Sequence, residues 1–271
     1  MRYCDSPIGI FDSGVGGLSV LSELDIVLPD EHYIYFGDTK NLPYGTKTKD
    51  EIIALTKDIM NFFVSRGVKN VVVACNTSSA LSYEELAKEY KNSLTIYPLI
   101  QTVAKDIAKY SKIGVMATKS TVNSLTYTKE ILKNNKTANV FEAECSGFVE
   151  IAEQGLLKKP SAAELVKSKL ETLLSQDVEK IVLGCTHYPH LMPVLEKYAP
   201  KDTFIDPAHY LCKFVKSEFE KNTPVNAPAK KEFFVSGNSK QFMKSAKLFY
   251  NVKEVQSVEL SAFRNNSYTA V

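Results

Sequence analysis

Arginine is scarce in this 271-residue chain. Arg2, Arg66 and Arg264 are the only ones, and lysine supplies nearly all the remaining positive charge. The net charge is +2 with no basic block, which argues against nucleic acid or an anionic membrane as a partner. Lysines this scattered read as a solvated surface. No apolar run approaches the roughly 18 residues of a membrane span, and the first residues lack the basic-then-apolar order of a secretory signal. A cytoplasmic protein is therefore expected. No Cys-x-x-Cys pair occurs, which disfavours structural zinc. Cys4, Cys75, Cys145, Cys185 and Cys212 are odd in number and widely spaced, which fits reduced thiols better than a disulfide framework.

The bulk composition, 44% hydrophobic and 24% charged, is that of a soluble globular protein long enough for one large or two modest domains. Two stretches stand out. Val71-Val72-Val73-Ala74 runs into Cys75-Asn76-Thr77-Ser78, and later Ile181-Val182-Leu183-Gly184 runs into Cys185-Thr186-His187. A short apolar, β-branched run bounded by polar turn residues predicts a buried strand of a parallel sheet. In open parallel sheets the loops after the strands form the ligand crevice. Two cysteines at two such ends can face one cavity from opposite sides.

The remaining elements follow the same pattern. Ile8-Gly9-Ile10-Phe11 predicts a first strand, which ends in Asp12-Ser13-Gly14-Val15-Gly16-Gly17 before a helix carrying Leu18, Val20, Leu21 and Leu24. The backbone N–H groups of that loop are suited to an anion, but Ser19 stands where the dinucleotide fingerprint needs glycine. Further strands are predicted at 33–36, 94–100, 113–117, 140–143, 203–205 and 232–236, with amphipathic helices between most of them. Thr48 with Glu51, and Ser161 with Glu164 after Pro160, read as capping boxes. Arg66 and Gly67 read as a helix end, not a substrate clamp. Residues 221–231, with two prolines and no periodicity, read as a linker, and the last residues as a frayed end. Alternating strands and helices give an α/β fold with mainly parallel sheets. The repeated strand–Cys–Thr pattern points to two similar lobes.

A thiol has a pKa of about 8.5, lowered beside cations and helix N-termini. Both cysteines are predicted where a strand passes into a loop that opens a helix, near such a positive end. His187 can exchange a proton with Cys185, and Asp12 can serve the other thiol similarly. With no arginine near these loops, a bound carboxylate would rest on backbone amides and on the hydroxyls of Ser13, Thr77, Ser78, Thr118, Thr121 and Thr186. A buried cysteine at a strand end is ordinarily a small hydrophobe. The doubled context, each cysteine followed by polar residues, is what raises the pair above that. The rival chemistry is a Cys/His nucleophile dyad, Cys185 with His187 or His190, which leaves Cys75 without a role. His32 and His209 read as surface or packing residues.

At these residues the chain resembles the cofactor-independent glutamate racemases of bacterial cell-wall synthesis. The matching motifs are Gly9-Ile10-Phe11-Asp12-Ser13-Gly14-Val15-Gly16-Gly17, Pro43-Tyr44-Gly45, Ala74-Cys75-Asn76-Thr77, Gly184-Cys185-Thr186-His187-Tyr188-Pro189 and Ser236-Gly237. They run from about Ile8 to Leu248 in family order. The resemblance implies two α/β lobes, residues 1–98 with 210–271 and residues 99–209, with the active site in the cleft between them. It implies reversible conversion of L-glutamate to D-glutamate for peptidoglycan, with no cofactor and no metal. Cys75 and Cys185 would be the acid/base groups on opposite faces of the α-carbon, assisted by Asp12 and His187, with Glu153 a third assisting carboxylate. Asp12, Ser13, Pro43, Tyr44, Gly45, Asn76, Thr77, Thr118, Thr121, Thr186 and His187 would bind substrate, and a homodimer is the implied assembly.

The chain also departs from the family. Members often carry an acidic residue and proline where Gln101-Thr102 stands, Pro-Leu at the turn Cys145-Ser146-Gly147, and proline at Glu150. Two other readings stay open: an aspartate or other small-acid racemase of the same superfamily, and a two-lobed protein that closes on an amino acid without chemistry. Two opposed thiols imply that product formed in D2O carries α-deuterium from the first turnovers, while unreacted substrate stays largely protiated.

Overall fold

The computed structural model describes residues 3–222 and 229–264. Most of the linker expected at 221–231, and the last residues, lie outside that range. The strands in chain order are β1 (Ile8–Asp12), β2 (Tyr33–Gly37), β3 (Asn70–Val73), β4 (Thr95–Pro98), β5 (Lys112–Ala117), β6 (Asn139–Glu144), β7 (Lys180–Gly184), β8 (Phe204–Ile205), β9 (Lys231–Val235) and β10 (Gln256–Ser257). They form two sheets, β10-β9-β2-β1-β3-β4 and β6-β5-β7-β8, and all their pairings are parallel. The α/β class expected from the alternation of elements is the class observed.

Burial explains the apolar runs. β1 is buried along its whole length, because parallel strands are covered on both faces. One apolar cluster fills the space between the sheets. It joins Ile10, Tyr35 and Val72 of the first sheet to Val115 and Val182 of the second, through Leu21, Val103 and Leu211. These last three come from helices Leu18–Val27, Leu99–Ile107 and Pro207–Phe219. The outer face of the first sheet packs Phe36, Phe62, Phe63 and Val71, and that of the second packs Met116, Leu170, Leu183 and Leu195.

Register brings the strand ends together. Phe11 pairs with Phe36 and with Val73, so Asp12, Asp38 and Cys75 emerge at one edge. Ala117 pairs with Gly184 and Glu144, so Thr118, Cys185 and Cys145 emerge side by side in the second sheet.

Two local expectations fail. The strand predicted at 94–100 stops at Pro98, and Leu99–Ile107 is a helix with Leu99, Ile100, Val103, Ala104 and Ile107 buried on one face. A short apolar run does not by itself separate a buried strand from the start of a buried helix. The second capping box is absent. Lys159 occupies the cap position and Pro160 opens helix Pro160–Leu174, so Ser161 falls inside the first turn. The first box is present, with the Thr48 amide donating to Glu51 Oε2 at 2.8 Å and the Glu51 amide to Thr48 Oγ1 at 3.4 Å. Arg66 closes its helix as expected; its guanidinium lies over the Phe234 ring and 3.2 Å from Glu232.

Candidate active site

The strand-end loops of the two sheets face each other across a cavity of about 250 Å³. Ser13, Cys75, Asn76 and Thr77 line it from the first sheet, and Thr118, Cys145, Cys185, Thr186 and His187 from the second. Pro43, Tyr44 and Gly45 complete the wall from the loop after β2. This is smaller than the roughly 300–1,000 Å³ of drug-sized pockets, as suits a small ligand.

Cys75 caps the N-terminus of helix Asn76–Glu89. The expected lowering of its pKa does not follow. Burial, and then the charge of Asp12, push the thiol up to about 12 against the pull of the Ser78 hydroxyl and amide and the Ser13 hydroxyl. Desolvation outweighs the helix end here, and Cys75 is a neutral thiol at physiological pH. Ser78 is fully buried and does not line the cavity, so its hydroxyl is not available to a ligand there.

Asp12 is also fully buried and stands one layer behind the wall. Its carboxylate accepts from the Gly14 amide at 2.9 Å and from Thr186 Oγ1 at 3.3 Å. Burial raises its pKa; the charge of His187 and the hydrogen bonds from the Gly14 and Gly17 amides and Thr186 oppose that rise. The anion held by the glycine loop is therefore the chain's own Asp12. Glycine is needed at 16 for close approach, since a Cβ there would sit 2.3 Å from Thr186 Oγ1 and 2.6 Å from the His187 ring.

On the other side, Cys185 Sγ is 3.7 Å from His187 Nδ1, and His187 Nε2 is 2.9 Å from Glu153 Oε1. Burial alone would lower the imidazole pKa. Hydrogen bonds to Cys185 and Glu153, with the charges of Cys185 and Asp12, raise it to about 10. His187 is thus an imidazolium at neutral pH, with both ring nitrogens donating. A short helix is expected after Cys185, and the helical segment there is short. Pro189 and Pro193 sit in a 3₁₀ turn (Tyr188–Leu191) and a four-residue helix (Met192–Leu195). The His190 ring packs on Phe249 with centres 4.1 Å apart, and burial and the His187 charge lower its pKa. Of the two histidines, His187 is the partner of Cys185.

A triangle of hydroxyls closes the cavity between the sheets: Thr77 to Thr118 at 3.0 Å, Thr77 to Thr121 at 3.3 Å and Thr118 to Thr121 at 3.1 Å. Thr121, like Asp12 and Glu153, does not itself line the cavity. Asn76 Oδ1 accepts from the Tyr127 hydroxyl at 2.6 Å, which fixes the amide orientation. Asp38, absent from the sequence-derived site, is a fully buried anchor. It accepts from the hydroxyls of Tyr44 and Ser236 and from Asn41 Nδ2 at 2.9 Å, tying the Pro43–Gly45 loop to the end of β9. An acidic residue directly after a strand, the signal that pointed to Asp12, also marks Asp38. Cys145 is the second omission, and it too directly follows a strand. The departure Gln101 is accounted for. Its side chain accepts from Ser79 Oγ at 2.8 Å and donates to the Ser79 carbonyl at 3.0 Å, joining two helices.

Among the described residues, no cluster of three or more His, Cys, Asp or Glu is arranged to hold a metal ion, and no helix is long and apolar enough to cross a membrane.

Residues 16–215 match the Asp/Glu/Hydantoin racemase family. A glutamate racemase of Carboxydothermus hydrogenoformans is 38% identical over 256 residues, spanning 93% of this chain and 96% of that protein. One from Thermoanaerobacter sp. is 42% identical over 253 residues, spanning 91% and 94%. Among solved structures, glutamate racemase from Francisella tularensis in complex with D-glutamate superposes with a TM-score of 0.89 at 29% identity, covering 96% of this chain and 99% of that one. The chain belongs to the Asp/Glu/Hydantoin racemase family.

Proposed function

We propose that the protein is a cofactor-independent glutamate racemase, interconverting L- and D-glutamate by proton transfer at the α-carbon. The observation that carries this is the placement of Cys75 and Cys185, from separate sheets, on one small cavity. An amino-acid α-proton is far less acidic than a thiol, so its removal needs close positioning and stabilisation of the developing charge. One cysteine as thiolate takes the proton from one face while the thiol of the other delivers a proton to the opposite face, and the centre inverts. The pair titrates as a unit, with one proton shared between two sulfurs in the active form. His187 places an N–H donor on the Cys185 sulfur, and Asp12 with Ser13 and Ser78 forms the polar setting of Cys75. No arginine lines the cavity. Substrate carboxylates would be held by the Ser13, Thr77, Thr118 and Thr186 hydroxyls, the Asn76 side chain and backbone amides near Tyr44 and Gly45.

The two lobes are proposed as residues 1–98 with 210–271 and residues 99–209, with the cavity in the cleft between them. D-glutamate for peptidoglycan, a cytoplasmic location and a homodimer complete the reading; light scattering over a concentration series tests the last. The decisive assay follows D- and L-forms of glutamate, aspartate and alanine by enantioselective chromatography with no pyridoxal phosphate added. Interconversion of glutamate is expected. Activity on aspartate with none on glutamate would overturn the substrate. Tight glutamate binding with no turnover, unchanged when both cysteines become serine, would make the protein a binder.

A further inference from the structure

The loop after β2 is held from both sides of the cavity. On its own side, the buried carboxylate of Asp38 accepts from the Tyr44 hydroxyl. From the opposite side, Ser120 reaches across from helix Lys119–Ser124, which follows β5 of the second sheet. Its Oγ lies 2.8 Å from the Gly45 carbonyl oxygen and 2.9 Å from that of Lys47, so one hydroxyl hydrogen serves two acceptors. Among the described residues, these are the only hydrogen bonds from residues 43–47 to the second sheet's side of the cavity. The two surfaces also touch. A Cβ added at Gly45 would sit 2.8 Å from Thr118 Cβ, so the loop lies directly on the residue that opens the helix. The contact is at the rim, where Pro43, Thr46 and Lys119 line the cavity and are exposed. Residues Tyr44–Thr46 form a single 3₁₀ turn, closed by the Lys47 amide on the Tyr44 carbonyl at 3.1 Å. A lone turn makes few bonds of its own, so its place depends on what it is tied to.

We propose that Ser120 is a positioning residue for the substrate: its hydroxyl holds the Tyr44–Thr46 turn against the second sheet's helix, so that the Tyr44 and Gly45 amides meet a substrate carboxylate already in place. The inference deepens the racemase reading and rests on it, since that reading gives those amides a carboxylate to hold. Ser120 does not line the cavity, so it acts through the loop. A turn fixed before the ligand arrives needs little ordering on binding, and less of the interaction free energy is lost to it.

The test pairs kinetics with backbone amide exchange. Ser120→Ala should raise KM for D- and L-glutamate by about 3- to 10-fold, the range expected for losing one shared hydroxyl bond, with a smaller fall in kcat. In the ligand-free variant the peptide covering residues 43–48 should take up deuterium several-fold faster than in the unaltered protein, with β3 and β7 unchanged. Ser120→Thr keeps the hydroxyl and should bring both readouts back, and circular dichroism checks that both variants fold. Faster exchange with unchanged KM would mean that the tether does not serve the substrate. Raised KM with unchanged exchange would mean that the hydroxyl acts by another route. Either result would overturn the proposal, as would no change in either readout. Ser120→Thr as impaired as Ser120→Ala would assign the effect to shape and overturn it too. All of these outcomes leave the racemase reading intact. Failure of the unaltered protein to interconvert glutamate would instead remove that reading, while the exchange comparison would still show whether Ser120 tethers the loop.

Discussion

Cys75 and Cys185 end strands of the same kind and line one cavity, yet their surroundings are opposite in sign. Cys75 caps a 14-residue helix and faces a buried carboxylate and serine hydroxyls. Cys185 leads into a proline-broken turn and faces an imidazolium backed by a second carboxylate. A helix N-terminus is the weaker device: next to the full charge of Asp12 and the burial of the sulfur, it leaves the Cys75 thiol at about 12. The likeness of the two halves therefore stops at the strand ends. The chemistry lies in the loops, where like elements are given unlike partners.

The largest expected effects test whether both halves are needed. Cys75→Ala or Cys185→Ala should each lower racemisation by about 10³-fold or more, since each removes an acid/base group that no neighbour replaces. Chromatographic separation of enantiomers over long incubations measures it. Near-full activity in either variant would end the two-thiol mechanism.

Next come the partners. Asp12→Asn and His187→Asn should lower turnover by about 10- to 100-fold, with effects on kcat that differ between the two directions. The enantiomers have equal free energy in water, so the equilibrium constant is one and kcat/KM must fall equally both ways. The asymmetry must appear in kcat and KM separately, and in opposite senses for the two variants. Identical changes in both parameters, from both substitutions, would mean that the two residues only hold the site together.

A smaller effect concerns pH on the Cys185 side alone. His187 has a folded-state pKa of about 10, above its ordinary 6.5. Its contribution to stability is therefore complete below pH 6.5 and is lost as pH rises through about 10. The same proton is an N–H donor to Cys185, so kcat/KM should fall as pH passes about 10. Glu153→Gln removes one of the supports of the imidazolium and should move that limb to lower pH. A limb unmoved by the substitution would detach Glu153 from the titration of His187.

Much of this arrangement was legible in the sequence, for reasons tied to particular residues. Val71–Val73 and Ile181–Leu183 are β-branched or apolar at every position, as a strand covered on both faces requires. Polar residues directly after them could then lie only at the sheet edge. Thr48 with Glu51 was readable because a cap is a local bond between near neighbours. Ser161 with Glu164 has the same spacing, yet Pro160 settles at the first helical position and moves the cap to Lys159. The packing of Thr186 and His187 on Gly16, and the hold of Asp38 on Tyr44 and Ser236, join residues far apart in the chain, so no window of sequence contains them. The sign of the shift at Cys75 was illegible for a related reason: it depends on how completely the sulfur is buried and on a carboxylate from another strand.

The smallest expected effect lies behind the Cys185 half, at Asp206. This residue caps helix Pro207–Phe219, accepting from the Ala208 amide at 2.9 Å. Burial raises its pKa from 3.8 to about 6, with Glu23 adding to the rise and the Ala208 bond and His209 opposing it. Because the folded value lies above the unfolded one, the protein favours the protonated acid. That stabilisation is present below about pH 3.8 and is lost as pH rises through about 6. At about 1.4 kcal/mol per pH unit, the shift amounts to roughly 3 kcal/mol at most. Asp206→Asn keeps an acceptor for the Ala208 amide and carries no charge. Urea denaturation between pH 4 and pH 7 should therefore show the unaltered protein losing stability relative to the variant between about pH 4 and pH 6, and levelling off above that. Coincident pH profiles would mean that water or a shifted side chain already solvates the carboxylate, and that the second sheet tolerates an ionised group beneath the loop that carries Cys185.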